Sequence, residues 1–477
     1  MTRVARTLLS LLLTVLVLGP AWARDTPLPP VVTAALKAQN IPASSLSVYA
    51  EELDSGEVLL LHNAELQRQP ASTIKVLTTF VILDELGPAY TWKTRAYANG
   101  TLKNGVLNGD LVLVGGGDPY MTSERWWSFV AELRQSGLKT ITGDVVIDRS
   151  YFAPLSEDRA AFDGSPEKSY NVIPDALMVN FQTSRFTLTG DVEAGKPVLI
   201  VEPRPANLQI LNSVKLSGTN CRRGYQGLRF GAPQGSSGNS LSLSGTAAAG
   251  CGRLTVARAI MSAPEYAFGT FKTYFEQQGG KINGGLRMDT LPAKAKLLTS
   301  FDSLTLGEII RLVNKFSNNI MARTLLLTLG AEKYGAPATT EKGQRAINDW
   351  LSRHQIDTKG FVLDNGSGLS RLERTSALGL GSMLKQAYQN QFMPEFAASL
   401  PLAATDGTLR SRFQSAAMRG RLRLKTGHME GVASLAGFVN AASGKHYVVV
   451  TIVNHPGAQY GSGDEVEASV LRWVFGQ

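Results

Sequence analysis

The chain has 477 residues, which is too many for one hydrophobic core, because domains typically hold ~100–200 residues. Hydrophobic residues make up 43% of it, enough for two or three domains. The net charge of +9 implies a basic surface, which is either simply solvated or attracts an anionic polymer. The basic residues form no cluster with interleaved aromatic residues, which argues against a nucleic-acid partner.

The N-terminus has the pattern of a secretory signal peptide. Arg3 and Arg6 form a basic start, an apolar stretch runs from Leu8 to Leu18, and Ala21-Trp22-Ala23 has the form of a cleavage site. The apolar stretch is shorter than the ~20 residues that a transmembrane helix needs, and no later segment approaches that length. We therefore predict that residues 1–23 are removed and that the mature protein is exported without a transmembrane helix.

The first part of the mature chain predicts a hairpin followed by a buried helix. Residues 46–50 alternate as in a strand, Asp54-Ser55-Gly56 signals a turn, and residues 58–61 follow as a second strand. A helix is predicted from about Thr73 to Leu86, ended by Gly87. Because this helix is apolar almost all round, we expect it at the centre of a domain.

The middle of the chain predicts a β-rich insertion. Closely spaced Asn-Gly pairs and a long stretch rich in Gly, Ser and Thr indicate short strands and loops from about 96 to 258. Helical periodicity and three alternating strands return after it. The predicted fold class is therefore α+β. One domain, an antiparallel sheet flanked by helices, is built from residues 24–95 and 259–477, and one or two β-rich domains are inserted between those parts.

Ser72-Thr73-Ile74-Lys75 is the first candidate catalytic motif. A serine hydroxyl is a poor nucleophile until a base takes its proton. Residues three apart lie on one face of a helix, so Lys75 falls one turn from Ser72 and can act as that base if burial keeps it neutral. An isolated Ser-x-x-Lys is more often a helix cap beside a solvated lysine.

Two further motifs carry groups that can bind a substrate. Ser317-Asn318-Asn319 lies where one helix ends and the next begins, and there Ser317 can relay a proton while Asn319 holds an amide. Lys425-Thr426-Gly427 ends a predicted strand, where Lys425 and Thr426 can bind a carboxylate and Gly427 permits close approach. The backbone N–H of His428 can pair with that of Ser72 as an oxyanion hole.

In this order and on these elements, the three motifs resemble the triple signature of penicillin-recognising serine enzymes. The first two are separated by far more sequence than ordinary β-lactamases have. This spacing is similar to that of the D-alanyl-D-alanine carboxypeptidase/endopeptidase family, the class C low-molecular-mass penicillin-binding proteins. Other segments also resemble that family: Gly115-Gly116-Gly117-Asp118-Pro119, Asp364-Asn365-Gly366-Ser367-Gly368-Leu369-Ser370-Arg371, Asp406-Gly407-Thr408-Leu409 and Ser434-Leu435-Ala436-Gly437-Phe438.

The resemblance implies a β-lactamase/transpeptidase-like fold and a periplasmic enzyme that cleaves peptidoglycan stem peptides and their cross-links without a cofactor, with β-lactams as inhibitors. It implies that Ser72 is acylated, Lys75 is the base, Ser317 relays a proton, Asn319 binds substrate, and Lys425 with Thr426 binds the carboxylate. The chain departs from the family in two places: His428 follows the Lys-Thr-Gly triplet where Thr or Ser is common, and Asn365 is an extra residue in its loop.

Four more residues are assigned from weaker signals. Asp163, in an irregular stretch similar to a family segment, is a candidate partner for the amine of the stem-peptide diamino acid, and Arg371 is a candidate for the same pocket. A solvated loop aspartate is the alternative for Asp163. Cys221 and Cys251 are the only cysteines, and an even count in an exported chain suggests a disulfide, two buried thiols being the alternative.

Other readings of the sequence remain open. The histidines are scattered and the cysteines are far apart, which argues against a metal site. A β-lactamase would keep the three motifs but needs a fast deacylation route, and no residue can be assigned to it. A wall-binding protein that has lost catalysis would keep only the fold, and the intact motifs argue against it.

Overall fold

The structure, a computed structural model, describes residues 25–191, 196–216, 227–231, 239–248 and 251–477. The predicted signal peptide at 1–23 and Cys221 lie outside these residues. The described helices are α1 (Pro30–Ala38), α2 (Lys75–Leu86), α3 (Ser123–Gln135), α4 (Ala263–Gln277), α5 (Leu306–Phe316), α6 (Asn319–Tyr334), α7 (Thr340–Arg353), α8 (Ala377–Gln389), α9 (Met393–Ser399) and α10 (Ser462–Phe475).

The strands fall into two groups, one at the ends of the chain and one in its middle. They are β1 (Leu46–Glu52), β2 (Val58–His62), β3 (Lys93–Lys103), β4 (Val106–Val114), β5 (Thr140–Ile141), β6 (Val145–Asp148), β7 (Ser184–Asp191), β8 (Lys196–Glu202), β9 (Gln209–Asn212), β10 (Lys215–Leu216), β11 (Leu228–Gly231), β12 (Ser240–Ala247), β13 (Arg253–Arg258), β14 (Lys281–Ile282), β15 (Leu286–Met288), β16 (Lys296–Asp302), β17 (Phe361–Val362), β18 (Arg374–Thr375), β19 (Leu422–Met429), β20 (Val432–Asn440) and β21 (His446–Asn454).

The first group forms a five-stranded antiparallel sheet in the order β19-β20-β21-β1-β2. The predicted N-terminal hairpin and the three C-terminal strands are all present in it. Successive side chains of each strand point to opposite faces of the sheet, and both faces carry an apolar cluster. Helices therefore cover both faces. α1 and α10 pack on one face, and α2 and α8 pack on the other. The predicted α+β class, with an antiparallel sheet flanked by helices, is confirmed.

Helix α2 lies at the centre of this domain, as its composition predicts. Every residue from Lys75 to Leu83 is buried. Gly87, with φ of 74°, ends the helix by donating its N–H to Leu83 O, a conformation that costs glycine least. A helix buried on all sides leaves its N-terminus as the part that can reach a cleft.

The second group belongs to the insertion. β14, β5, β4, β3 and β16 form a sheet to which β6 and β15 add, and smaller sheets hold β7 to β13. Helix α4 packs with α3 into the core of this region, and β16 pairs with β3. The sequence analysis assigned residues 263–302 to the catalytic domain, but they pack on the insertion. We therefore propose that the insertion extends from Lys93 to Asp302.

The insertion contacts the catalytic domain through a hydrogen bond and a β-bridge, among other contacts. Arg323 on α6 is buried and donates from Nη2 to Glu157 Oε1 at 2.6 Å. Phe152 forms a parallel β-bridge with Ala338. Residues 151–182 consequently lie against the helix that begins with the Ser-Asn-Asn motif. Within the described part of the chain, no helix combines the length and apolar character needed to cross a bilayer.

Candidate active site

The first motif places its serine and lysine side by side. Residues Ala71–Ile74 form a 3-10 turn that leads into α2, so the Ser72 and Lys75 side chains nearly eclipse each other. Lys75 Nζ lies 2.8 Å from Ser72 Oγ. The turn begins at Ala71 in a left-handed conformation, with φ of 46°, which marks a backbone held in place by its surroundings.

Lys75 is fully buried, and its hydrogen-bond partners suit a neutral amine. Nζ lies 2.7 Å from Asn319 Oδ1 and also contacts the carbonyl oxygen of Ser367. A neutral amine has two N–H donors for these two oxygens and one lone pair for the Ser72 hydroxyl proton. Burial lowers the pKa of Lys75 to about 7, although the charge of Glu373 acts in the opposite direction. Lys75 can therefore act as a base near neutral pH.

The second motif faces Lys75 across the cleft. Ser317 ends α5 in a left-handed conformation, with φ of 56°, and Asn318 caps α6 by accepting the N–H of Met321 at 3.0 Å. This sharp junction turns Ser317 and Asn319 toward the cleft. Asn319 Oδ1 accepts from Lys75, and Ser317 Oγ accepts from Lys425 Nζ at 2.9 Å. Because Ser317 Oγ accepts that bond, its own proton is available to a substrate atom.

The third motif lies on β19, the edge strand of the sheet. Lys425 is fully buried, its Nζ also donates to Thr426 O at 2.7 Å, and Thr426 Oγ1 donates to Thr408 Oγ1 at 2.9 Å. Burial lowers the pKa of Lys425 well below its usual value, and the nearby charge of Lys75 adds to this effect. A bound carboxylate would offset the burial of this cation.

Gly427 is required by the approach of β19 to the nucleophile turn. A Cβ built at Gly427 would lie 2.6 Å from Pro70 O and 3.0 Å from Ser72 N, which leaves no room for a side chain. The backbone of residues 427–428 therefore runs directly beside Ser72. That backbone N–H groups from both segments serve one oxyanion stays a prediction.

His428 directs its imidazole to α10. Nε2 lies 2.7 Å from Asp464 Oδ1, and this hydrogen bond raises the pKa of His428 against the opposing effect of burial. The described contacts of its ring are with the Asp464 side chain, not with Ser72 or Lys75. What His428 brings to the cleft is its backbone.

Asp163 and Arg371 are each already paired. Asp163 accepts from Tyr170 OH at 2.5 Å, Lys168 Nζ at 3.1 Å, Asn171 Nδ2 at 2.7 Å and Ser165 N at 3.1 Å. Partial burial raises its pKa, but these bonds outweigh that effect and lower the pKa to about 2. Both carboxylate oxygens are fully used, so a substrate amine would have to displace a partner.

Arg371 pairs with Glu430, the residue that follows β19. Its Nη2 lies 2.9 Å from Glu430 Oε2, and its guanidinium lies 5.3 Å from the centroid of the Phe162 ring. Phe162 packs in turn against Met429, which ends the strand that carries the Lys-Thr-Gly motif. Asp163 and Arg371 are thus brought to one side of the cleft by the Phe162 segment.

A cavity of about 530 Å³ adjoins the second motif. It lies between residues 316–320 and the insertion, and the Phe316 side chain beside it is 71% exposed. Aromatic and charged side chains line its walls: Tyr170, Phe181, Arg185, Glu202, Tyr274 and Phe316. Its volume is within the range typical of small-molecule sites.

Three residues of the site were not predicted individually. Ser367 supplies a carbonyl acceptor for Lys75, Thr408 bonds Thr426, and Glu373 lies buried near Lys75. The first two fall in segments that resemble the family, so that resemblance could have pointed to them. Glu373 had no sequence signal. Among the described residues, no group of His, Cys, Asp or Glu could hold a metal ion.

Comparison with known proteins identifies the family of the chain. The sequence profile of the D-Ala-D-Ala carboxypeptidase 3 (S13) family matches residues 30–473. The chain belongs to this family. It is a serine-type D-Ala-D-Ala carboxypeptidase, and the resemblance predicted from the three motifs is confirmed.

Individual relatives support the assignment. The D-alanyl-D-alanine carboxypeptidase of Actinomadura sp. strain R39 is 30% identical, covering 91% of this chain and 82% of the relative. Penicillin-binding protein 4 of Haemophilus influenzae has a crystal structure with a TM-score of 0.80 at 23% identity, covering 94% of this chain and 99% of that one, which shows a shared fold. A predatory endopeptidase of Bdellovibrio bacteriovorus has a TM-score of 0.52 at 15% identity, covering 90% and 92%, which is a likeness of fold alone.

Proposed function

We propose that this carboxypeptidase hydrolyses the terminal D-alanyl-D-alanine amide of peptidoglycan stem peptides through an ester on Ser72. The observation that carries this proposal is that the buried Lys75 amine lies 2.8 Å from Ser72 Oγ. The other hydrogen bonds of this amine go to Asn319 Oδ1 and Ser367 O. Ser72 Oγ attacks the amide carbon while Lys75 takes its proton, and the leaving nitrogen receives a proton through Ser317. Water then cleaves the ester, releasing the shortened peptide and restoring the Ser72 hydroxyl.

The other site residues hold the substrate in this scheme. Lys425 and Thr426 bind the carboxylate of the leaving D-alanine, and Asn319 binds the amide that precedes the scissile bond. The backbone N–H groups of Ser72 and His428 stabilise the negative charge that develops on the carbonyl oxygen. The contacts between Lys75 and Asn319 and between Lys425 and Ser317 support these proposed roles.

We also propose D,D-endopeptidase activity on cross-linked peptides. In a cross-link the leaving residue is part of a second stem peptide, so the substrate needs room beyond the carboxylate site. The cavity beside Phe316 and Ser317 supplies space next to that site, and its charged walls suit a peptide with free carboxylates and amines.

The test uses mature protein and three substrates. With benzylpenicillin we expect a stoichiometric adduct by mass spectrometry, located on the peptide that contains Ser72. With a pentapeptide we expect free D-alanine, and with a cross-linked peptide dimer we expect monomers. Rapid turnover of a chromogenic cephalosporin without D-alanine release would instead indicate a β-lactamase. Wall binding without acylation would indicate a non-catalytic protein.

Asp163 is proposed to recognise the free amine of the stem-peptide diamino acid. A substrate ammonium would take the place of Lys168 Nζ, which is partly exposed and easily displaced. Asp163→Asn is then expected to lower kcat/KM about 10- to 100-fold on the free-amine substrate, since charged hydrogen bonds contribute about 1.5–3 kcal/mol. The same substrate acetylated on that amine should be unaffected, as should the penicillin acylation rate.

Asp158→Asn is the matched control, because Asp158 is an exposed carboxylate on the same segment and bonds only the Ala160 N–H in the described contacts. It should change neither substrate. Equal activity of wild type and Asp163→Asn on the free-amine substrate would leave Asp163 an ordinary loop aspartate. We propose Arg371 as a weaker contributor to the same pocket.

We propose that the protein is exported to the periplasm with cleavage near Ala23, in keeping with a substrate in the cell wall. The Cys221–Cys251 disulfide also stays a prediction, because Cys221 lies outside the described residues. N-terminal sequencing and non-reducing peptide mapping of exported protein test both, and two free thiols would refute the disulfide.

A further inference from the structure

A buried carboxyl lies beneath the catalytic lysine and has no assigned role. The Glu373 side chain is fully buried in the segment before β18. Its Oε1 accepts the backbone N–H of Gly366 at 2.7 Å, while Oε2 has no hydrogen-bond partner among the described residues. Burying a carboxylate oxygen without a hydrogen-bond partner lowers the stability of the folded protein. A structural role alone therefore does not explain a carboxyl at this position.

Glu373 supports the loop that touches Lys75. Through Gly366 it anchors residues 366–368, and the carbonyl of Ser367 in that loop accepts from Lys75 Nζ. Thr78 on α2 also bonds this loop, donating from Oγ1 to Gly366 O at 2.7 Å. The loop packs so closely that a Cβ at Gly368 would lie 2.0 Å from Ala71 O. A shift at Gly366 would therefore move the acceptor of Lys75.

Lys75 and Glu373 also interact through their charges. The charged groups around Lys75 are Glu373 in this loop and Lys425 on β19, and Asp364 faces Glu373. Burial raises the pKa of Glu373 to about 7, the same range as the pKa of Lys75. A negative Glu373 favours the protonated form of Lys75, whereas burial favours the neutral form.

We propose that Glu373 is a positioning residue that fixes the 366–368 loop and holds negative charge beneath Lys75, so that it sets the pH above which Lys75 can accept the Ser72 proton. No bond to Glu373 forms or breaks during the reaction. The inference rests on the proposed role of Lys75 as the base.

The test is the pH dependence of acylation by a β-lactam, measured on the full mature protein. In wild type we expect the acylation rate to rise with pH and to level off above about 7. Glu373→Gln removes the charge but keeps the shape and the Gly366 hydrogen bond. Because the lost charge favoured protonated Lys75, the rising limb should move to lower pH by about one unit. Near pH 7, where Glu373 carries charge in wild type, the variant should be acylated about two-fold faster, relative to its own plateau, than wild type, and the two should converge at acidic pH, where the side chain at this position is neutral in both.

Asp118→Asn is the matched control. Asp118 is also a buried carboxyl with one oxygen bonded to a backbone N–H and one without a partner, but its nearby charge is Arg125 rather than Lys75. The acylation rate of Asp118→Asn should rise over the same pH range as that of wild type. Glu373→Asp, which keeps a carboxyl in the pocket, should have a rising limb closer to that of wild type than Glu373→Gln has. If Glu373→Gln folds poorly, Glu373→Asp is compared with wild type instead, and a limb that moves to lower pH by a full unit while the carboxyl remains would overturn the inference.

The outcomes separate the inference from the function it rests on. A wild-type limb that is present but unmoved in Glu373→Gln, with acylation lowered equally at every pH, would overturn the role of Glu373 alone. If the wild-type acylation rate does not rise with pH near neutrality, Lys75 is not the base, and the inference about Glu373 fails with that assignment.

Discussion

Ser72→Ala is expected to abolish both the penicillin adduct and the release of D-alanine. Ser72 Oγ is the atom that Lys75 Nζ approaches at 2.8 Å, and no other hydroxyl in the described contacts of Lys75 can replace it. Loss of the nucleophile in a serine hydrolase lowers kcat by on the order of 10⁶-fold. Mass spectrometry after incubation with benzylpenicillin and a D-alanine assay measure the two losses.

The variant should still fold, because removing one partly exposed hydroxyl creates almost no cavity. Thermal unfolding should therefore remain close to that of wild type. Ser55→Ala, in the exposed turn between β1 and β2, is the matched serine substitution and should keep full activity. An adduct that persists on Ser72→Ala would show that another residue is acylated.

Lys75→Met is expected to lower the acylation rate by at least about 10³-fold. Methionine keeps much of the buried volume of lysine but offers no base, and general-base catalysis contributes roughly 10²–10⁴-fold. Nucleophile and base act as one unit, so the loss should approach that of Ser72→Ala. The remaining slow rate should also lose the rise with pH through about 7 that the lowered pKa of Lys75 gives the wild type.

The sign of that pH dependence follows from the role of the base. Lys75 is active when neutral, so protonation below its pKa of about 7 slows acylation, and deprotonation above it restores the rate. Stopped-flow acylation across this pH range measures the effect for both proteins. Wild type and Lys75→Met with equal rates, or with the same pH limb, would contradict the assignment of Lys75. Thermal unfolding separates this from simple destabilisation, because Asn319 Oδ1 and Ser367 O lose a buried donor in the variant.

Local sequence was enough to bring Ser72 and Lys75 together and to predict strands of the C-terminal sheet. Ser72 and Lys75 are three residues apart, and any helical turn brings such residues together. The alternation of residues 432–439 and 447–453 predicts strands because the side-chain period of a strand is two. The all-round apolar character of residues 73–86 likewise predicted a central helix, and α2 is buried from Lys75 to Leu83.

Contacts between distant segments could not be predicted in the same way. The helix at 263–277 was expected in the catalytic domain, but an apolar helix face can pack on either domain, and sequence does not choose between them. The ring of His428 points to Asp464, which lies 36 positions away, and the residues next to His428 in the sequence do not predict that contact.

The sequence by itself determined the family of this protein and predicted its chemistry, because the proposed nucleophile, base, relay and carboxylate binder are each a residue type within a short motif. Only the tertiary structure decided what surrounds them. Ser367 lies 292 positions from Lys75, yet its carbonyl is one of the two oxygens to which a neutral Lys75 can donate. The burial that makes Lys75 a base, and the Glu373 charge that opposes it, arise when these separate segments pack together in a medium where charges are poorly solvated.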